Sequence, residues 1–217
     1  MSYTSPYEKY KVGDIIPEGT SGRWTITRRV VTKADVAAQS ISFSNRGRVV
    51  PEGTYTELNC GGTIVMSDTP DEMRDHWSII SEAKGRVLIA GLGIGMVTRA
   101  ILDKVDRDGK FVVDHVTVIE KSPDVIALVA PHYLARYGER LTVIEADIME
   151  WKPAKGDHWN AAWYDIWNNL CGDNLESMKT LHRRFGKKTD WQGSWGREIC
   201  ERAEREWKSS YWGRKSR

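Results

Sequence analysis

Val87-Leu88-Ile89-Ala90-Gly91-Leu92-Gly93-Ile94-Gly95 is an apolar run that empties into a glycine turn. Four apolar residues in succession read as a strand buried on both faces, and the segment that follows, 96–105, has the spacing of a helix. Glycines allow a tight turn and a close approach of ligand to backbone, while the start of the helix presents unpaired N–H groups. The spacing is GxGxG, with Met96 where a dinucleotide-binding GxGxxG turn needs its last glycine, which disfavours a nicotinamide-linked oxidoreductase.

Downstream the same alternation continues, with strands expected at 116–119, 141–144 and 161–164 and helices at 123–137 and about 175–185. Strand-helix alternation implies right-handed βαβ units and a doubly wound, mostly parallel sheet, an α/β class. Ser122-Pro123-Asp124 carries N-cap and first-turn signals, and Pro131 predicts a kink or an early end to its helix. Each later strand runs into an acid: Glu120, Asp147 and Asp165. The carboxyl edge of such a sheet is where these folds bind ligands. Glu120 stands where ribose hydroxyls are held, and Ala146-Asp147 where an adenine amino group would meet an acceptor. A single acid at a strand end is ordinarily a solvated turn former; three in register favour a nucleoside-type ligand.

Upstream, Thr69-Pro70-Asp71-Glu72 combines an N-cap hydroxyl, a first-turn proline and a glutamate able to form a capping box. The helix it opens directs Met73, Trp77 and Ile80 inward and reaches Gly85 as its C-cap. Before it, 23–27, 54–58 and 63–66 read as short strands between glycines. The chain thus divides into a small β-rich antiparallel module over 1–68 and a Rossmann-like domain over 69–217. Eight of the ten tryptophans fall from Trp151 onward. Trp195, Ile199, Ala203 and Trp207 lie four apart and predict a last amphipathic helix packed on the sheet.

Taken together, the glycine turn, Glu120, Ala146-Asp147 and Asp165 resemble the class I S-adenosylmethionine-dependent methyltransferase fold over about residues 54 to 180. Thr63-Ile64-Val65-Met66 and Asp71-Glu72-Met73-Arg74-Asp75-His76 look like the strand and DExxYH segment of its spermidine synthase-like branch. The resemblance implies S-adenosylmethionine held by Gly91, Gly93, Gly95, Glu120, Ala146 and Asp147. It makes Asp165 the acceptor-orienting group or general base, and Asp71, His76, Trp167 and Asn168 the acceptor side, with Asp75 a weaker candidate. The branch's aminopropyl chemistry, which uses decarboxylated S-adenosylmethionine, needs an acid inside the glycine turn, where this chain has Ile94, and another where it has Asn168. Methyl transfer to an unidentified acceptor is therefore the leading expectation. Aminopropyl transfer is the first alternative, and a non-catalytic nucleoside-binding interaction protein the second. The chain after the helix near 185 is too short for the fold's full seven strands, so the last strand pair is expected to be missing or replaced by the tryptophan-bearing segment.

Trp163, Trp167, Trp191 and Trp195 are either core or an aromatic pocket over the acceptor. His182, Arg183, Arg184, Lys187 and Lys188 are a solvated helix end or a lure for an anionic acceptor. With 217 residues, 40% hydrophobic and 29% charged, and Lys+Arg 32 against Asp+Glu 30, composition speaks against disorder and against a strongly basic nucleic-acid grip. Cys60, Cys171 and Cys200 are far apart and form no CxxC, so neither a disulfide framework nor a zinc site is expected. The amino-terminal MSYTSPYEKYK lacks the apolar stretch of a signal, and no run is long enough to span a bilayer; a cytoplasmic location is the expectation, with no membrane partner and a homo-oligomer left open. The carboxyl-terminal Arg214-Lys215-Ser216-Arg217 reads as a frayed basic end.

Overall fold

The computed structural model describes residues 7–41 and 49–215; the first six residues and the last two of the basic tail lie outside them. An antiparallel meander comes first: β1 Gly19–Ser21, β2 Trp24–Val31, β3 Gly53–Cys60 and β4 Thr63–Ser67, with helix α1, Lys33–Ile41, between β2 and β3. Two short helices, α2 Pro70–Asp75 and α3 Trp77–Glu82, lead to the second sheet. Its strands are β5 Gly85–Ala90, β6 Val113–Glu120, β7 Leu141–Glu145, β8 Trp159–Tyr164 and β9 Thr189–Ser194, in the order β7-β6-β5-β8-β9 and parallel throughout. Helices α4 Met96–Leu102 and α5 Pro123–Tyr137 follow β5 and β6, α6 Asn174–Phe185 joins β8 to β9, and α7 is Arg197–Lys215. From β5 the chain winds outward through β6 to β7, then returns to place β8 on the other side. That reversal opens a crevice at the carboxyl ends of β5 and β8.

Period-two alternation divides β5 between two apolar layers. Val87 and Ile89 enter one core with Val116, Val118 and Trp163; Leu88 and Ala90 enter the other with Ile119, Ala162 and Tyr164. The first of these cores also takes in Val12, Ile16, Ile26, Leu58 and Met66, so the meander and the parallel sheet share one apolar interior. Polar fasteners reinforce it. Buried Asp68 accepts the backbone N–H groups of Val12 at 2.9 Å and Thr56 at 2.6 Å, Ser21 Oγ donates to Asp124 at 2.7 Å, and Arg99 pairs with Asp14.

Several expectations are corrected. The helix from Pro70 breaks at His76, and Trp77, expected to face inward, is exposed while Met73 and Ile80 are buried. Thr69 makes no side-chain cap bond, because its hydroxyl pairs with Ser67, and α3 ends at Ala83 rather than at Gly85, which opens β5. Pro131 neither kinks α5 to a stop nor shortens it; both Pro131 and Ala127, whose carbonyl loses its partner, are exposed, so solvent can satisfy that carbonyl. The last helix packs on α6, not on the sheet. Cys200 buries against Leu175 and Met178, while Ile199 and Trp207 lie largely exposed. Among the described residues the parallel sheet has five strands, and the tryptophan-bearing segment forms β9 and α7, in keeping with a last strand pair that is missing or replaced. Among the described residues no helix is long and apolar enough to cross a membrane.

Candidate functional site

A cavity of about 620 Å³ opens at the carboxyl ends of the central parallel strands and is roofed by the meander, a volume in the range that holds a small molecule. Gly91 and Gly93 form its floor in the left-handed region, at φ +96° and +51°. A Cβ on Gly91 would lie 2.1 Å from the carbonyl oxygen of Asp165, and one on Gly93 2.3 Å from Met66 Sδ, so the turn passes under β8 and β4 only because it lacks side chains. Gly95 has a different task. It sits at the N-cap of α4 at φ +74° and lets the Tyr133 ring of α5 lie against it, with Tyr133 Oη donating to the Ile94 carbonyl at 3.0 Å. It shapes the turn without lining the cavity.

Glu120, at the end of β6, accepts Leu92 N–H at 2.8 Å on one oxygen and Ser122 N–H at 2.7 Å on the other. It ties the glycine turn to the next loop, and each carboxylate oxygen keeps a second lone pair for a ligand hydroxyl. Asp147 accepts Met149 N–H at 2.9 Å and Lys121 Nζ at 2.7 Å; both bonds hold its carboxyl below the usual carboxylate range, that of Lys121 foremost. Ala146, Ile119, Val125 and Ile148 add an apolar slot beside it.

At the far end of the cavity stands Asp165, just beyond β8, its side chain 22% exposed. Burial, then the negative charges of Glu72, Asp75 and Glu120, push its carboxyl up to about 8. His76 Nε2 lies 3.6 Å from Asp165 Oδ2, and the ring is 1% exposed. Burial pushes His76 down to about 4, so it is neutral near pH 7. Trp163 Nε1, which can only donate, is 3.2 Å from His76 Nδ1, so the imidazole proton sits on Nε2 and points toward Asp165. The break between α2 and α3 is what turns His76 into this position.

Trp163, Trp167 and Trp195 line the same end, and Asn168 with them; Trp191 stands behind, stacked on Trp163 with ring centroids 6.3 Å apart. Gly193 opposite Trp163 leaves room for that stack, since a Cβ there would lie 2.7 Å from the indole. Asp71 is brought elsewhere: it pairs with Arg74 outside the cavity, and Glu72 supplies the carboxylate at this wall instead. The basic cluster near the end of α6 divides: Arg183 and Lys187 are exposed, as a solvated helix end requires, whereas Arg184 and His182 are engaged with the protein. Arg184 donates to the carbonyls of Ile148, Met149 and Trp151, clamping the loop after Asp147, and His182 bonds Ser194.

Sequence reasoning missed Lys121 and Trp24 and quoted Glu72 and Met66 only within the segments likened to the spermidine synthase-like branch, without a site role; all four line the cavity. Lys121 follows Glu120 directly and carried a signal as a cation among strand-end acids. Trp24 and Met66 come from the meander and reach the site only through long-range packing.

No protein-family model matches this sequence, and no curated protein matches it. Solved structures similar to the chain include a DhpI complex titled "DhpI-SAM-HEP" (18% identity over 55% of this chain and 49% of that one, TM-score 0.40). Others are the N-methyltransferase NodS from Bradyrhizobium japonicum WM9 (16%, 55% and 62%, TM-score 0.38) and a dimethyladenosine transferase from Plasmodium falciparum (19%, 45% and 32%, TM-score 0.35). The chain spans less than two thirds of the length of each. At such scores the sheet order itself, rather than the likeness, identifies the Rossmann-like α/β fold.

Proposed function

We propose that this chain binds S-adenosylmethionine and transfers its methyl group to a small acceptor. The observation that carries the reading is the convergence of three strand-end carboxylates, Glu120, Asp147 and Asp165, on one cavity floored by the Gly91–Gly93 turn. The residues present fit the donor. Glu120 would take the ribose hydroxyls, Asp147 with the apolar slot of Ile119, Val125 and Ile148 the adenine, and the glycine turn the remaining backbone-facing part. When bound, the donor supplies an electrophilic methyl carbon on a sulfonium. The protein's own task is then to align a nucleophile, exclude water and manage one proton.

Asp165 is placed for the proton. As a carboxylate it accepts one from the acceptor and becomes neutral, and His76 Nε2–H, fixed in that tautomer by Trp163, faces the carboxylate before that proton arrives. Aminopropyl transfer is disfavoured by Ile94, which is fully buried in the core and offers no acid to the cavity, and by Asn168, which lines it. Calorimetric titration with S-adenosylmethionine, S-adenosylhomocysteine and decarboxylated S-adenosylmethionine tests the reading. Binding of the first two, with the decarboxylated donor weaker, is expected; no binding of any of the three overturns it, and a preference for the decarboxylated donor moves the assignment to aminopropyl transfer.

A further inference from the structure

The edge strand β9 contributes no residue to the cavity wall, yet two of its positions govern where the Trp163 indole lies. Parallel pairing sets Ala161 beside Trp191 and Trp163 beside Gly193, and with a period of two all four share one face of the sheet. Trp191 stacks on Trp163 with the ring planes 6° apart, which covers one face of that indole. Gly193 has no positive φ, so its backbone would accept alanine, but the added Cβ would lie 2.7 Å from Trp163 and 2.8 Å from Trp191. The two rings, and not the backbone, require the glycine.

The indole held in this way acts at its other edge. Its N–H donates to His76 Nδ1, which leaves the imidazole proton on Nε2, 3.6 Å from Asp165 Oδ2. His76 is 1% exposed, so the indole rather than solvent selects between its two neutral tautomers. An N–H directed at a carboxylate favours the charged form; the other tautomer would turn a lone pair toward Asp165 and favour the acid.

From this chain of contacts, β9 to Trp163 to His76 to Asp165, we infer that Trp191 and Gly193 are positioning residues for the base of the proposed transfer. They hold Trp163 where it selects the His76 tautomer, and through that tautomer they ease the conversion of Asp165 to a carboxylate. Asp165's task here rests on the methyltransferase reading; the coupling itself does not. The charges around the pair lie on other elements: Glu72 and Asp75 of α2 and Glu120 of β6 act on Asp165, and Asp75 acts on His76. A substitution in β9 removes none of them.

Nitrogen-15 NMR of full-length protein labelled in histidine tests the coupling, with His76 identified among the five histidines by the signals lost in His76→Gln. Carbon-13 NMR of labelled aspartate follows Asp165, identified likewise by Asp165→Asn. In the unsubstituted protein at pH 7, His76 is expected to show a protonated Nε2 and a bare Nδ1. Gly193→Ala, which must displace an indole, should draw the two nitrogen shifts together as the tautomers exchange, and should move the Asp165 midpoint up by about half a pH unit or more. Trp191→Leu should do the same, whereas Trp191→Phe, which keeps a stacked ring, should stay close to the unsubstituted protein. All three variants should keep their affinity for S-adenosylhomocysteine, since neither position lines the cavity.

Three results overturn the inference: a His76 that is not the Nε2–H tautomer in the unsubstituted protein, no change in tautomer or midpoint in both Gly193→Ala and Trp191→Leu, or a tautomer that loosens while Asp165 stays where it was. Loss of S-adenosylhomocysteine affinity in the variants alone also overturns it, because β9 would then support the cavity at large. Failure of the unsubstituted protein to bind S-adenosylhomocysteine is a different result, which removes the donor reading and leaves the coupling to be judged by the NMR.

Discussion

Asp165 is kept in an environment that favours its neutral form, and this has a cost that can be measured. Its carboxyl is raised from 3.8 to about 8, so between those values the folded chain holds a proton that the unfolded chain has released, and stability falls as pH rises. His76 works in the other direction. Lowered from 6.5 to about 4, it leaves the unfolded chain with the extra proton in that window, so stability falls as pH falls. The two slopes oppose each other up to about 6.5, and above it Asp165 acts alone. Asp165→Asn is therefore expected to stabilise the protein by an amount that grows from pH 6.5 to 8, at up to about 1.4 kcal/mol per pH unit, measured by urea denaturation across that range. The same substitution should abolish the rising limb near pH 8 in kcat/KM and lower kcat by about 10²–10⁴. A pH-independent stability difference would show that Asp165 is not held neutral. Asp165 and Glu120 could be picked out from the sequence because a strand ending in an acid is a local signal. The Trp163–His76 hydrogen bond could not, since it joins residues 87 positions apart.

The element that sets the site is the β5 turn into α4, and its Gly95 can be set against Gly62 of the β3–β4 turn, which faces nothing. Gly95 and Gly62 both adopt left-handed backbone, at φ +74° and +84°, so an alanine at either carries a similar conformational penalty of about 1–2 kcal/mol. Around Gly62 no atom lies within 4 Å of an added Cβ, whereas at Gly95 the Tyr133 ring would be 2.3 Å away. Gly95→Ala should thus cost at least about 1 kcal/mol more than Gly62→Ala, because α4 and α5 must part to admit the methyl. Equal losses in chemical denaturation would mean that this contact has slack. At this scale the strands and helices of the βαβ units were legible, their buried runs being unbroken and their caps conventional: Ser122 Oγ does accept Val125 N–H at 3.3 Å. What escaped was decided by packing. β9, Thr189–Ser194, is a polar edge strand whose burial rests on Trp191 stacking over Trp163, and α1 buries no residue. Of the four-residue series Trp195, Ile199, Ala203 and Trp207, Trp195 precedes α7 and packs against the main core, while the other three fall on a face that α7 leaves exposed, since contact with α6 selects Cys200.

At the scale of the whole molecule, the meander is part of the site. Met66 of β4 covers the Gly93 turn, Trp24 and Leu58 line the cavity, and the core beneath them continues without a boundary into the parallel sheet. Reading the sequence as two consecutive units captured the change in strand pattern but not this shared interior, because nothing local in Ile26, Leu58 or Met66 says which partner covers them. A ligand held between two units with one core stabilises both, whereas a ligand on one of two independent units would stabilise that unit alone. Saturating S-adenosylhomocysteine at a hundredfold excess over its Kd should add about 2.7 kcal/mol to global stability. Amides that exchange only by global opening should slow by about a hundredfold in the meander strands Trp24–Val31 and Gly53–Cys60 as much as in β5 and β6. Slowing confined to the parallel sheet would show that the meander opens by itself, and would remove Trp24 and Met66 from any account of how the ligand is held.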